Sequence, residues 1–96
     1  MQEFARQYPS PRALFLLGVF DEEDSKPDSA LDYYKKAVTA DPFDPLPNIA
    51  LGRLLAATGR RNEALDCLTR FLSIYRLENS WRAEALRLEK QISSPK

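Results

Sequence analysis

Few residues in this chain are able to do chemistry, and their spacing argues against a reaction centre. The sequence contains no histidine, so the commonest general base and metal ligand is missing. Cys67 is the sole cysteine, and without an adjacent base its thiol lacks the group that would activate it. Its neighbours Leu65, Leu68 and Phe71 mark it as a small buried hydrophobe. A lone cysteine makes no internal disulfide and leaves the redox compartment open. Three glycines cannot build a phosphate-cradling loop, and neither GxxxxGKS/T nor GxGxxG occurs. The run Asp21, Glu22, Glu23, Asp24 offers oxygens to a hard cation but lacks the alternating ligands and turn glycine of a calcium loop. No catalytic residue, metal site or cofactor is therefore expected.

Charge and composition limit the partners. The net charge is zero, yet residues 21–44 hold eight acids against three lysines, while residues 53–96 hold nine bases against five acids. An acidic front and a basic back can steer a polar partner or set copies head to tail. Solvated helix faces are the simpler account of the same pattern. The bases are scattered and not interleaved with aromatics, so nucleic acid is not an expected partner. The longest apolar run, residues 13–20, is far short of a membrane span. Met1, Gln2, Glu3 and Phe4 do not open a basic, then apolar, leader. Compartment stays undetermined, with the cytoplasm favoured.

The elements that must position any site repeat themselves. Gly18 and Gly52 each follow a leucine, and Pro11/Pro45, Leu17/Leu51, Ala30/Ala64, Leu31/Leu65 and Asp32/Asp66 match at the offset that separates those two glycines. A fixed period of this size marks stacked supersecondary units, which usually serve as binding surfaces. Helical spacing dominates, and no stretch shows strand alternation. Ser10-Pro11 and Asp44-Pro45 each put a capping side chain before a first-turn proline. These start helices over about residues 11–20 and 45–58, the second closed by Gly59. Partner helices follow over about residues 28–40 and 62–76. Ser25 to Asp28 offer a cap and an early proline for the first of these, and Asn62 a cap for the second. Asp41-Pro42 stops the earlier partner helix. A last helix over about residues 80–92 carries one stripe of Trp81, Ala85, Leu88 and Ile92, widened by Ala83 and Leu86. One such face, with the other wet, suits a terminal cap.

On these residues the chain resembles the tetratricopeptide repeat family. The first unit presents Leu14, Leu17-Gly18, Ala30, Tyr34, Ala37 and Pro42; the second presents Leu51-Gly52, Leu55, Gly59, Ala64 and Leu68. Departures are Asp21 where an aromatic is usual, Ser25 where the turn often has glycine, and Asn48. Further departures are Phe71 where alanine is usual and Arg76 where proline is usual. The resemblance implies an all-α superhelix of antiparallel helix pairs. Its divisions are an end of a preceding helix or an N-terminal extension (residues 1–9), repeat one (10–43), repeat two (44–78), a capping helix (79–92) and a tail (93–96). It assigns Leu14, Leu17, Gly18, Ala30, Tyr34, Ala37, Leu51, Gly52, Ala64 and Leu68 to packing between helices. Physics gives the small residues the same role, since glycine or alanine lets paired helices approach closely.

In this family the first helix of each repeat lines a concave groove that reads a partner. Carried over by position, the groove residues are Phe15, Val19 and Glu22 from repeat one and Ile49, Arg53 and Ala56 from repeat two. Leu14, Leu17 and Gly18 are expected to face inward. The first helix is apolar nearly all round, which calls for cover on several sides. Neighbouring repeats are expected over Leu16 and Phe20, and a partner over Phe15, Val19 and Ile49. A subclass that grips chaperone C-termini uses lysine, asparagine and arginine, but those places hold Phe15, Val19 and Ala50 here. An apolar lining would leave a carboxylate buried without partners, so that role is disfavoured.

Two readings follow. The chain is a non-catalytic adaptor that docks a helical or extended segment of another protein in its groove. Alternatively it is a self-associating unit that builds a homo-oligomer or lengthens an array by stacking ends, the aromatic-bearing stretch 1–20 being the natural stacking face. Phe15→Glu would disable the first and Phe4→Glu the second.

Overall fold

The computed structural model describes residues 10–93, which form five α-helices: α1 (Pro11–Glu23), α2 (Pro27–Ala40), α3 (Pro45–Ala57), α4 (Arg61–Ile74) and α5 (Ser80–Ser93). No strand occurs among the described residues. Residues 1–9, expected to end a preceding helix, and Phe4 with them, lie outside the described residues, as do residues 94–96 of the expected tail. Helix α1 packs on α2, α2 on α3, α3 on α4 and α4 on α5, with α3 also touching α5. This serial packing is the all-α stack that the period demands.

The helix starts follow their caps. Ser10 Oγ accepts from the Ala13 N–H at 3.1 Å and Asp44 Oδ1 from the Leu46 N–H at 3.2 Å, with Pro11 and Pro45 in the first turn. Both satisfy donors that a helix start leaves open. The partner helices start differently. Asn62 lies inside α4, which begins at Arg61 after an Arg60 that makes no side-chain cap bond, so the expected Asn62 cap is not made. Helix α1 also extends past its expected end at Phe20, to Glu23.

The two inter-helix turns explain both findings. Ser25 and Gly59, equivalent positions of the two repeats, hold φ of +62° and +86°. The N–H groups of Ser25 and Lys26 donate to the Glu22 and Asp21 carbonyls, at 3.1 and 2.8 Å. Those of Gly59 and Arg60 donate to Ala56 and Leu55, at 3.2 and 2.8 Å. Each is a left-handed helix stop with paired back-bonds, which closes one helix and launches the next without a side-chain cap. Ser25 is thus a turn residue in a conformation that suits glycine, not a cap. Ser25→Gly is expected to raise stability by about 0.5–1 kcal/mol, relief of a left-handed side chain outweighing the added freedom of the unfolded chain. Thermal melting of the two proteins checks this, and an unchanged or lowered midpoint would refute it.

The core runs along the facing sides of α2, α3 and α4. Ala30, Tyr34, Ala37, Ala64, Leu68 and Phe71 are each at most 1% exposed. A Cβ on Gly18 would meet Tyr34 Cε1 at 2.5 Å, and one on Gly52 would meet Leu68 Cδ2 at 2.8 Å. The period therefore repeats a small-against-large contact, not merely a residue type.

Three departures from the family pattern have local partners. Asp21 accepts a hydrogen bond from the Ser29 hydroxyl, tying α1 to α2. Asn48, only 3% exposed, donates to the Pro42 and Asp44 carbonyls at 3.0 and 2.9 Å. It fastens the turn between repeats from inside. Phe71 stacks on Tyr75 with ring centroids 4.7 Å apart. The Tyr75 hydroxyl accepts from Asn79, and Arg82 donates to the Leu72 and Tyr75 carbonyls at 3.2 and 2.6 Å. That cluster hinges α5 onto α4.

The ends of the stack depart from expectation. Leu17 is 41% exposed although its counterpart Leu51 is 4% exposed, so the inward placement of Leu17 is corrected. Leu51 lies between α2 and α4, whereas α1 has a described neighbour on one side alone. Leu16 and Phe20 stand exposed for the same reason. Ala85 and Ile92 of α5 are buried and Leu88 is half-buried, but Trp81, Ala83 and Leu86 are exposed. Helix α5 therefore keeps an apolar outer face.

Candidate functional site

Helices α1 and α3 both pack on α2, and their flanks define with it a shallow groove of about 320 Å³. Phe15, Val19, Glu22 and Glu23 line it from α1, Ala50 and Arg53 from α3, and Tyr34 of α2 forms its floor. Four of the six residues carried over by position, Phe15, Val19, Glu22 and Arg53, come together here. Residues 15, 19 and 22 share a flank because they are spaced four and three apart.

Two expected members do not join them. Ile49 is 4% exposed and belongs to the core, so its placement toward a partner is corrected. Its counterpart Phe15 is half-buried, for α1 packs on one described helix, α2, while α3 has described neighbours on both sides. Ala56 is half-buried against the core and lies off the groove. Ala50, Glu23 and Tyr34 are lining residues that the positional transfer did not name as groove residues. Tyr34 had a readable signal: a buried tyrosine ring needs a partner for its hydroxyl.

That partner is Glu22. The Tyr34 hydroxyl donates to Glu22 Oε1 at 2.6 Å, and the Phe15 ring lies 5.8 Å from the Tyr34 ring, centroid to centroid. Burial of the phenol pushes its pKa well above the ordinary tyrosine value, and the Glu22 carboxylate pushes the same way against a smaller opposing pull from Arg53. The phenol is therefore a fixed neutral donor that orients Glu22 rather than a proton shuttle. The groove thus presents an apolar strip, Phe15, Val19 and Ala50, edged by acid from Glu22 and Glu23 and by the Arg53 guanidinium. Such a strip can hold an apolar side chain and orient a polar segment beside it.

Cys67 is 2% exposed, and its thiol donates to the Asn48 carbonyl at 3.7 Å. Burial raises the pKa of the thiol, with Arg70 pulling the other way. A buried protonated thiol is a poor nucleophile. Among the described residues no group of three or more acids and cysteines is arranged to hold a metal ion. No described helix is long and apolar enough to cross a membrane.

A search of curated proteins returned no matching relative. The family model of the tetratricopeptide repeat matches residues 23–87. That span covers both partner helices, all of α3 and the first half of α5, and it includes the Gly52–Leu68 contact. Members of this family generally mediate protein–protein interaction and are typically non-catalytic. With the repeat period, the paired helices and this match together, the chain belongs to the tetratricopeptide repeat family.

Proposed function

We propose that this chain is a non-catalytic interaction module that docks a segment of another protein in the α1/α3 groove. The observation that carries the reading is the half-buried apolar strip of Phe15 and Val19 beside Ala50, edged by Glu22 and Arg53. Apolar side chains held at partial exposure on a rigid scaffold gain by being covered. The flanking charges of both signs set orientation more than affinity. The strip suits a short helical or extended segment with a leucine- or phenylalanine-sized anchor and an acid placed toward Arg53.

The test begins with peptides selected from a random library against the intact chain, followed by amide chemical-shift mapping. Shifts are expected to centre on Phe15, Val19, Ala50 and Arg53. Phe15→Glu is expected to weaken the selected peptide by about tenfold or more, the scale of losing a buried anchor. Because Phe15 also touches Tyr34, the exposed Arg53→Glu provides a second variant that leaves packing alone. It should weaken peptides carrying an acid at the matching place and spare those without one. Peptides that map to another face, or that bind both variants as they bind the parent, would defeat the reading.

A further inference from the structure

We propose that the segment docking in the α1/α3 groove is basic: a lysine or arginine of the partner, about 10 Å from its apolar anchor, pairs with Glu22 and Glu23 at the acidic end of the groove. This names the partner's chemistry for the site described above and rests on the docking reading given for it.

The groove has two chemically different ends. Phe15, Val19 and Glu22 recur at spacings of four and three, so they line α1 in order, and its two turns set Glu22 about 10 Å beyond Phe15. Phe15 and Ala50 make the apolar end. Arg53 holds in α3 the place that Val19 holds in α1, so it edges the middle. Glu22 and Glu23 make the far end. With both acids lining it against Arg53 alone, the groove is net negative.

Glu22 is set up to accept a cation. The Tyr34 hydroxyl donates to its Oε1 at 2.6 Å, which fixes a half-buried carboxylate before any partner arrives. A carboxylate can accept several hydrogen bonds, so one donor does not exhaust it. Orienting an acceptor in advance lowers the cost of binding. Among the described residues no ion pair engages Asp21, Glu22, Glu23 or Asp24, and Lys26, the nearest base in sequence, makes none with them.

The fold itself does not ask for these acids. They stand at the C-terminal end of α1, where the helix dipole favours cations, and α1 has no base in its last turn. Repeat two supplies the control: one period on, the same four places hold Leu55, Ala56, Ala57 and Thr58. Asp21 is used by Ser29 and Glu22 by Tyr34, whereas Glu23 and Asp24 are exposed and serve no described contact. Like charges crowded at the negative pole of a helix are relieved by a cation brought from outside. That cation also distinguishes the two ends of the groove, so the segment docks in one sense. Anchor and base are then about three residues apart in an extended segment and about seven in a helical one.

The experiment uses the peptides that a random library yields against the intact chain and that shift the amides of the groove. These are expected to carry lysine or arginine at that spacing from their anchor. Replacing the base by glutamine should weaken binding about fivefold, the upper range for a pair near the surface. The difference between the two peptides should shrink as salt is added. Glu22→Gln with Glu23→Gln, which keeps an oxygen for the Tyr34 hydroxyl, should weaken the basic peptide by the same factor and leave its glutamine sibling unmoved. Glu23→Lys, at an exposed position, should do likewise without touching Glu22. Peptides that shift the groove and are lost with Phe15→Glu, yet carry no base or bind parent and acid variants equally, would overturn this proposal and leave the docking reading standing. Peptides that shift no part of the groove would overturn both.

Discussion

Phe71→Ala, a change toward the residue usual in this family, is expected to destabilise the chain by about 3–5 kcal/mol, the range for removing a buried ring. Phe71 is 1% exposed, so little of the lost volume can be refilled by water or by a moving loop. The ring also stacks on Tyr75, and loss of an aromatic pair adds to the loss of area. The damage should spread to α5. Tyr75 accepts from Asn79, and the carbonyls of Leu72 and Tyr75 accept from Arg82, so the stacked pair anchors the hydrogen bonds that hold α5 in place. For a domain of this size the melting midpoint should fall by roughly 15–30 °C. Amide exchange along α5 should accelerate before that along α2. A fall of only a few degrees, with α5 as protected as before, would mean that the family residue suffices here and that Phe71 is not a keystone.

Gly18→Val is the second large effect, expected at about 3 kcal/mol, the upper part of the range for overpacking. The first added carbon would sit 2.5 and 2.7 Å from two ring atoms of Tyr34, well inside contact distance. The ring cannot swing aside, because it is 1% exposed and its hydroxyl is held by Glu22. Gly52→Val meets Leu68 at 2.8 Å instead, a branched aliphatic end with rotamers to spare, and should cost less. Denaturant unfolding of both variants gives the comparison. Combining Gly18→Val with Tyr34→Ala should recover part of the loss, because the ring is the obstacle; strict additivity would exclude a shared contact. The same substitution should distort the peptide groove, since Tyr34 is its floor.

These two sites show how unevenly the structure was legible. The Gly18–Tyr34 contact could be read from matching glycines and their partner positions, because a repeat repeats its packing. Phe71 could be read as a departure from pattern with Tyr75 one turn further along the same expected helix, but that the two rings stack and anchor α5 came only with the fold. Asn48 is similar: its amide bonds two carbonyls of the preceding turn, a use visible only once the turn has folded back over the helix. Asn62 shows the opposite error. It has the chemistry of a cap, but the Gly59 turn ends so tightly that the helix begins one residue before it.

What the sequence by itself determined is local and periodic: the five helices of the described residues, the three proline-led starts at Pro11, Pro27 and Pro45, the pairing of each helix with the next, and the small-against-large contacts. Those follow from backbone sterics, capping chemistry and a pattern repeated at one fixed period, all of which act over short stretches of chain. Only the tertiary structure decided which copy of a repeated residue is covered. Leu17 and Leu51 are the same residue in the same register, as are the positions of Phe15 and Ile49, yet one of each pair stands open and the other is buried. Burial depends on how many neighbours a helix has, and a residue's place in the period does not say whether its helix lies inside the stack or at its end.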